Sequence, residues 1–140
     1  MKIGVAGLWQ LGVMYAVEFA ELGHLVTTYD PNSDSISGLR NGELLVFEPC
    51  LREMLLANLK TGNLRFTSDE SNLDEIELLV IAYDTPVDEE DNADVNFTIS
   101  EFTRIAKFLN SNAHIMLTSQ LLVGSSDIIQ QVQERYCASI

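Results

Sequence analysis

The chain has 140 residues, of which 46% are hydrophobic and 21% are charged, and its formal net charge is −13. This length and composition fit one globular domain, and no apolar run is long enough to predict a membrane-spanning helix. The acidic balance disfavours nucleic acid and anionic membranes as partners, and two distant cysteines without a CxxC motif are typical of a reducing, cytoplasmic location.

Short apolar runs alternate along the chain with amphipathic stretches, which predicts alternating strands and helices. The predicted strands are residues 3–6, 25–29, 64–66, 78–82 and 114–117. The predicted helices cover residues 11–22, residues 33–41, a stretch from Pro49 to Gly62, and two later stretches with the apolar stripes Phe102-Ile105-Ala106-Leu109 and Ile128-Val132-Tyr136. Capping-box spacing at Thr67 and Glu70 predicts a brief helix, and the same spacing at Thr98 and Glu101 predicts the start of the next.

A glycine motif, Gly7-Leu8-Trp9-Gln10-Leu11-Gly12, follows the first strand, and Asp30 stands 18 residues after Gly12 at the end of the second. This is the layout of a dinucleotide-binding fingerprint, in which Gly7 permits the tight turn, Gly12 lets the helix pack closely and the helix N-terminus faces a pyrophosphate. The predicted fold is therefore α/β, a Rossmann-type doubly wound, mainly parallel sheet of five or six strands with helices on both faces. Residues 1–140 are expected to form a single domain.

Residue 9 departs from the fingerprint, which has a glycine there so that the backbone approaches the pyrophosphate. Trp9 allows two interpretations: an indole that swings outward and shelters the ligand, or one that fills a vestigial phosphate site. Asp30 predicts hydrogen bonds to the adenosine ribose hydroxyls and a preference for NAD over NADP, which the lack of Lys and Arg between residues 24 and 39 also favours. The alternative for Asp30 is a turn aspartate before Pro31.

Other polar features also have plain structural alternatives. Residues 124–126, Gly-Ser-Ser, are either a backbone turn near a ligand or a helix capped by serine. The acidic loop at residues 88–94 is either a divalent-cation site or a solvated surface loop, and it lacks the spacing of an EF-hand. His24 and His114 stand in no pattern of metal ligands, so no metal site is predicted.

Over nearly all of its length, the chain resembles the N-terminal NAD-binding domain of the UDP-glucose/GDP-mannose dehydrogenases. The opening M-K-I-G-V-A-G-L-W-Q-L-G is similar to the family's M-K-I-x-V-x-G-x-G-Y-V-G, and A-E-L-G-H-L-V-T-T-Y-D is similar to its A-x-x-G-H-x-V-x-x-x-D. F-E-P-C-L-R-E-M-L resembles Y-E-P-G-L-x-x-L, and L-R-F-T-S-D resembles L-x-F-T-T-D. Asp84-Thr85-Pro86 stands where the family has G-T-P, A-D-V-N-F matches A-D-L-x-Y, and residues 117–124 lie where the family has K-S-T-V-P-V-G.

The resemblance implies an oxidoreductase that converts the C6 hydroxyl of a nucleotide sugar to a carboxylate with NAD⁺ in successive steps, through intermediates on a cysteine. It also implies that Glu48 and Pro49 approach the cofactor and the sugar. The implied NAD-binding residues are Gly7, Leu8, Trp9, Gln10, Leu11, Gly12, Asp30, Thr85, Pro86 and Ser119.

Further departures from the family pattern fall on the cofactor side. Asp84 replaces a glycine beside the cofactor, Gln120 replaces a threonine at the reaction centre, and Ser35 stands near where a basic residue often assists the ribose. The family's catalytic cysteine motif, G-G-x-C-x-P-K-D, does not occur in this sequence. Neither Cys50, which stands where the family has glycine, nor Cys137 matches it.

We therefore expect an NAD-binding domain of a nucleotide-sugar 6-dehydrogenase, present as a fragment or truncated product that lacks the catalytic and sugar-binding domain and is inactive alone. Its expected partners are NAD and a nucleotide sugar, and a homodimer is compatible with the sequence. The alternative is a degenerate, cofactor-free Rossmann module with a structural or interaction role.

Overall fold

The computed structural model describes residues 1–87, 89 and 94–137, apart from the side chains at positions 95 and 137. Its strands are β1 (Lys2–Ala6), β2 (Leu25–Tyr29), β3 (Leu64–Thr67), β4 (Leu78–Ile81) and β5 (His114–Leu117). Its helices are α1 (Gln10–Glu21), α2 (Ser33–Arg40), α3 (Leu51–Thr61), α4 (Val95–Ala106) and α5 (Ser125–Cys137). A short 3-10 helix, Glu70–Leu73, lies between β3 and β4.

These five strands form a parallel sheet in the order β3-β2-β1-β4-β5, with β1 in the middle. Val5 of β1 pairs with Thr28 of β2 on one side and with Val80 of β4 on the other. Parallel strands need crossover connections, and the helices that supply them cover the sheet. The predicted doubly wound α/β fold is confirmed.

Each face of the sheet has its own hydrophobic core. Ile3 and Val5 of β1 pack with α1, α2 and α3 on one face, whereas Ala6 packs with Tyr29 and with α4 and α5 on the other. Successive side chains of a strand point to opposite faces, so a strand covered on both faces is apolar throughout. This explains the apolar runs of β4 and of β1 after Lys2, which made these two strands easy to predict.

Two predicted helix starts are wrong because an aspartate provides the cap. Thr67 belongs to β3, and it is the Asp69 side chain that accepts a hydrogen bond from the Ser71 N–H at the start of the 3-10 helix. Asp94 likewise caps α4, accepting from the N–H groups of residues 96 and 97, while Thr98 is fully buried inside that helix. Aspartate is among the strongest N-cap residues, so it prevails over capping-box spacing nearby.

Two smaller corrections concern α3 and α5. Helix α3 starts at Leu51 rather than Pro49, because Cys50 has a left-handed backbone (φ 64°) that no helix can continue through. In α5 it is Ile129, 2% exposed, that packs into the core, while the predicted Ile128 is 45% exposed. None of the described helices is long and apolar enough to cross a membrane.

Candidate functional site

The candidate site lies where the strand order of the sheet reverses, at the carboxyl ends of the neighbouring strands β1 and β4. These neighbouring strands continue into helices on opposite faces, α1 after β1 and α4 after β4. Such a switch point leaves a crevice beyond the strand ends, which is where ligands bind in open α/β sheets.

Two glycines bring the start of α1 to this crevice. Gly7 has a φ of 91°, and a Cβ there would lie 2.6 Å from the backbone nitrogen of Tyr83. A Cβ on Gly12 would lie only 1.8 Å from the carbonyl oxygen of Gly7. Neither position has room for a side chain, so both glycines are required for the turn to fold as it does.

The N-terminus of α1 presents backbone donors at the crevice that no described residue pairs with. Trp9 is the N-cap residue, and no side chain caps the helix. The N–H groups of Gln10, Leu11 and Gly12 have no acceptor within the helix, as for the first turn of any α-helix. Together with the helix dipole, these donors favour an anionic group such as a pyrophosphate.

Asp30 is held beside this turn by the backbone. Its Oδ2 accepts a hydrogen bond from the N–H of Leu8 at 3.0 Å, and its Oδ1 accepts one from the N–H of Asn32 at 2.9 Å. A carboxylate has about four acceptor positions, so each oxygen retains capacity for a hydroxyl group. The geometry therefore fixes the carboxylate while leaving it able to bind a diol.

A groove of about 290 Å³ connects these parts. Four of the predicted cofactor residues line it: Gly7, Leu8, Trp9 and Asp30. Its other lining residues are Asn32, Ser35, Leu45, Tyr83, Asp84 and Phe97. Of these ten, two are acidic and none is Lys, Arg or His, so backbone donors rather than side-chain cations face an anion here.

Trp9 lines the groove and is 51% exposed. Its φ of −80° is open to any residue, so the departure from glycine causes no backbone strain. The indole also lines a hollow formed with residues 44–51, and Gln10 bridges to this loop by donating a hydrogen bond to Glu48 at 2.6 Å. Half of the Trp9 surface is open, and a groove of about 290 Å³ remains beside the residue.

The predicted residues of the later loops hold the backbone together instead of lining the groove. The Thr85 hydroxyl donates to the Gln120 carbonyl at 2.8 Å, and the Ser119 hydroxyl donates to the Tyr83 carbonyl at 2.7 Å. The Pro86 carbonyl accepts from the N–H of Asp94 at 2.8 Å. These bonds tie the loop after β4 to the loop after β5 and to the start of α4. Leu11 is 44% exposed and lies outside the groove.

Tyr83 and Phe97 line the groove although the sequence did not identify them. Tyr83 is 6% exposed, and its ring lies edge-on to Phe97 with 5.8 Å between the centroids. Burial raises the pKa of the Tyr83 hydroxyl well above its usual value, and the Glu101 carboxylate acts in the same direction. That hydroxyl has no hydrogen-bond partner among the described residues. Tyr83 is the second residue after the end of β4, and this position was the only indication in the sequence that it lies at the site.

A polar cluster of Tyr29, Glu70, Glu101 and Arg104 lies at the carboxyl end of β2, next to Asp30. The fully buried Tyr29 donates to Glu70 at 3.2 Å and accepts from Arg104, which also pairs with Glu101 at 2.8 Å. Burial raises the pKa of Tyr29, with Arg104 opposing that shift. The cluster thus anchors the strand end that carries Asp30.

The two buried tyrosines should respond differently to loss of the hydroxyl. We expect Tyr83→Phe to change the free energy of unfolding by no more than about 1 kcal/mol, in the stabilising direction, because it removes a buried hydroxyl without a partner. We expect Tyr29→Phe to destabilise the fold by about 1–3 kcal/mol, because Arg104 and Glu70 lose their partner. Urea denaturation of both variants measures this, and a larger loss from Tyr83→Phe would contradict the hydrogen bonding described above.

The remaining predicted features do not form a second site in the described residues. No group of His, Cys, Asp and Glu there could hold a metal ion, and most of the acidic loop at residues 88–94 lies outside the description. Cys50 is an exposed free thiol. Gly124, with a φ of 93°, immediately precedes α5 and does not line the groove.

Comparison with known proteins supports the geometry. The model of the UDP-glucose/GDP-mannose dehydrogenase family, NAD binding domain, matches residues 1–138. UDP-glucose 6-dehydrogenase YwqF of Bacillus subtilis is 32% identical over 130 residues, which are 92% of this chain and 30% of that protein. UDP-glucose 6-dehydrogenase of Rhizobium meliloti is 30% identical over 134 residues, 94% of this chain and 31% of that protein.

Solved structures agree with these sequence matches. UDP-D-ManNAc dehydrogenase of Pyrococcus horikoshii superposes with a TM-score of 0.90 at 25% identity, over 99% of this chain and 33% of that one. A UDP-glucose dehydrogenase of Pyrobaculum islandicum gives a TM-score of 0.87 at 25% identity, with the same coverage. The chain thus spans about a third of the length of the relatives that it matches.

Proposed function

Because the chain belongs to the UDP-glucose/GDP-mannose dehydrogenase family, whose NAD-binding domain it matches over residues 1–138, we propose that the groove at the end of β1 binds NAD for the oxidation of a nucleotide sugar. The observation that carries this proposal is the conjunction in one open groove of Gly7, Asp30 and Trp9, the N-cap residue from which α1 begins without a side-chain cap. NAD⁺, when bound, supplies the hydride acceptor for oxidation of an alcohol.

The position of each part of NAD follows from the donors and acceptors of the groove. The pyrophosphate lies against the N–H groups at the start of α1, and the adenosine ribose hydroxyls bind the carboxylate of Asp30. The adenine then lies on the β2 side of the crevice. The nicotinamide extends the other way, toward the loops after β4 and β5 that Thr85 and Ser119 hold together.

The charges of the groove favour NAD over NADP. A 2′-phosphate would stand against the Asp30 carboxylate, and none of the residues that line the groove is a cation that could neutralise it. The pyrophosphate itself relies on the helix dipole and on N–H donors, which also bind anions.

We place the catalytic groups and the main sugar contacts outside these 140 residues. Cys50 lies on an exposed loop and bears no motif for a nucleophile, and the matched relatives are about three times as long as this chain. We further propose that the protein acts in the cytoplasm, and that neither nucleic acid nor a membrane is its partner, in keeping with its net charge of −13.

Calorimetric titration with NAD tests the binding. We expect a saturable 1:1 interaction at micromolar to low-millimolar strength. We expect Trp9→Gly to change the affinity by less than about threefold, since half of the Trp9 surface is open and its φ of −80° needs no glycine. No heat at several millimolar NAD from folded protein would overturn the NAD site. A gain of more than about tenfold in Trp9→Gly would show that the indole obstructs it.

The catalytic assignment needs a separate assay. With NAD⁺ and UDP-glucose, the chain alone should produce no NADH by absorbance, while UDP-glucose 6-dehydrogenase of Bacillus subtilis serves as the positive control. Clear turnover by this chain would refute the placement of the catalytic groups outside it.

A further inference from the structure

We propose that Gln10 positions one wall of the dinucleotide groove, acting through its hydrogen bond to Glu48. That wall is the segment of residues 44–47, and Leu45 of this segment lines the groove together with Trp9. Neither Gln10 nor Glu48 lines the groove itself, so the pair acts on a bound dinucleotide through the segment. The inference rests on the proposed NAD site, and it makes Gln10 a positioning residue for the cofactor.

The 44–47 segment has few attachments of its own. It lies in the loop between α2 and α3, and its four residues form no hydrogen bond with any described residue. Leu45 is 51% exposed and Phe47 is 84% exposed, while Leu44 and Val46 are partly buried. A segment with few buried contacts and no backbone hydrogen bonds opens at a low free-energy cost, unless a neighbouring group holds it.

The hydrogen bond between Gln10 and Glu48 holds one end of this segment against α1. Gln10 is the first residue of α1, and Glu48 directly follows the segment. Gln10 Nε2 donates to Glu48 Oε1 at 2.6 Å, and both residues are partly buried. A carboxylate acceptor and partial exclusion of water both strengthen such a bond. The bond thus ties the segment to the helix start at which we place the pyrophosphate.

The segment also packs closely beside the indole of Trp9. Leu44, Leu45 and Val46 line a hollow together with Trp9, and its volume is about 10 Å³, room for one water molecule at most. Since Leu45 and Trp9 line the groove as well, the position of the segment sets the shape of the groove on this side. A segment that moves away from Trp9 takes an apolar wall from the bound dinucleotide.

The expected size of the effect follows from a two-state equilibrium of the segment. If the dinucleotide binds the closed arrangement, its apparent Kd rises in proportion as the closed population falls. The net contribution of one hydrogen bond corresponds to about three- to tenfold in such a population. We therefore expect loss of the Gln10–Glu48 bond to weaken NAD binding by about three- to tenfold.

The first measurement is made without a dinucleotide. Gln10→Met keeps the length of the side chain and removes its amide, and acrylamide quenching of tryptophan fluorescence then reports the cover over Trp9, the one tryptophan of the chain. We expect a steeper quenching slope in Gln10→Met and in Glu48→Met than in the wild type. Glu48→Gln keeps an oxygen that can accept from Gln10 and should restore most of the wild-type value.

The second measurement is a double-mutant cycle on NAD affinity, by calorimetry. Gln10→Met and Glu48→Met should each weaken NAD binding by about three- to tenfold, and the double variant should bind within about twofold of Glu48→Met alone, because the bond is already lost. This non-additivity distinguishes positioning through Glu48 from a direct contact of either side chain with the dinucleotide.

Gln130→Met is the matched control, because Gln130 donates the same kind of bond to Glu134, at 2.8 Å within α5 and away from the groove. It should leave the quenching slope and the NAD affinity at their wild-type values, and thermal melting should show every variant folded.

Three results would overturn the role of Gln10 while leaving the NAD site intact. They are an unchanged quenching slope in Gln10→Met, an NAD affinity within twofold of the wild type in that variant, and a further full loss of affinity when Gln10→Met is added to Glu48→Met. A wild type that binds no NAD would overturn the proposed function and this role together. The quenching slopes would still show in that case whether the hydrogen bond holds the segment.

Discussion

Replacing Gly12 with alanine is expected to lower the free energy of unfolding by more than about 3 kcal/mol and to abolish NAD binding. The added Cβ would lie 1.8 Å from the carbonyl oxygen of Gly7, and backbone atoms cannot move aside as a flexible side chain can. Helix α1 would have to shift away from the end of β1, which would take its N–H donors out of the groove. Chemical denaturation and calorimetry with NAD measure the two effects.

Gly38→Ala is the control for this substitution, because Gly38 is also a helical glycine but its added Cβ would meet only the far end of the Glu43 side chain, at 3.2 Å. Alanine favours helix over glycine, so this variant should be unchanged or more stable by up to about 1 kcal/mol. If Gly12→Ala were as stable as Gly38→Ala, the close packing of α1 on the β1 turn would be disproved.

Asp30→Ala is expected to weaken NAD binding by about a hundredfold, because the adenosine ribose loses its charged acceptor. The variant should also lose about 1–2 kcal/mol of stability, since the N–H of the buried Leu8 is left without a partner. Calorimetry gives the affinity, and it should be read beside a thermal melt that establishes how much protein is folded.

Asp30→Asn separates the ribose contact from the charge. The amide keeps the shape and one acceptor, and it removes the repulsion against a 2′-phosphate, so the preference for NAD over NADP should fall by about tenfold or more. Asp34→Asn removes a charge nearby without touching the groove and should keep the wild-type preference. An unchanged NAD affinity in Asp30→Ala would mean that the ribose does not bind there.

The fold was largely predictable because the residue pattern within each short segment indicates whether that segment forms a strand or a helix. The strand at residues 25–29, Leu-Val-Thr-Thr-Tyr, is rich in β-branched and aromatic residues, and it was predicted with its exact bounds. Helix starts were less predictable, because several polar residues compete for each cap. Thr67 and Thr98 have suitable spacing, but Asp69 and Asp94 lie close by and cap instead.

The candidate site was predictable where backbone geometry dictates the residue. At positions 7 and 12 only glycine fits the surroundings. Asp30 was predicted because it stands directly after the second strand. Tyr83 and Phe97 join the same groove from positions more than 50 residues further along the chain. Only the order of the strands, with β4 next to β1, brings them there.

The orientation of Trp9 was not predictable from the motif. Its indole packs beside the loop at residues 44–51, and the course of that loop depends on the left-handed backbone of Cys50 and the start of α3. Whether the indole shelters or obstructs the cofactor stays a prediction, which the titration of Trp9→Gly tests. The family, the fold and NAD as cofactor are confirmed, whereas the roles of individual groove residues stay predictions.

Dinucleotide binding beside Trp9 is tested most directly by titrating the wild-type protein with NADH while following tryptophan fluorescence. Trp9 is the one tryptophan of the chain and lines the groove, so its emission responds to a dinucleotide bound there. We expect saturable quenching with sensitised nicotinamide emission, reversed by excess NAD, after correction for absorption with free tryptophan amide. Trp9 emission that is unaltered at several millimolar NADH, in folded protein, would contradict NAD binding in this groove.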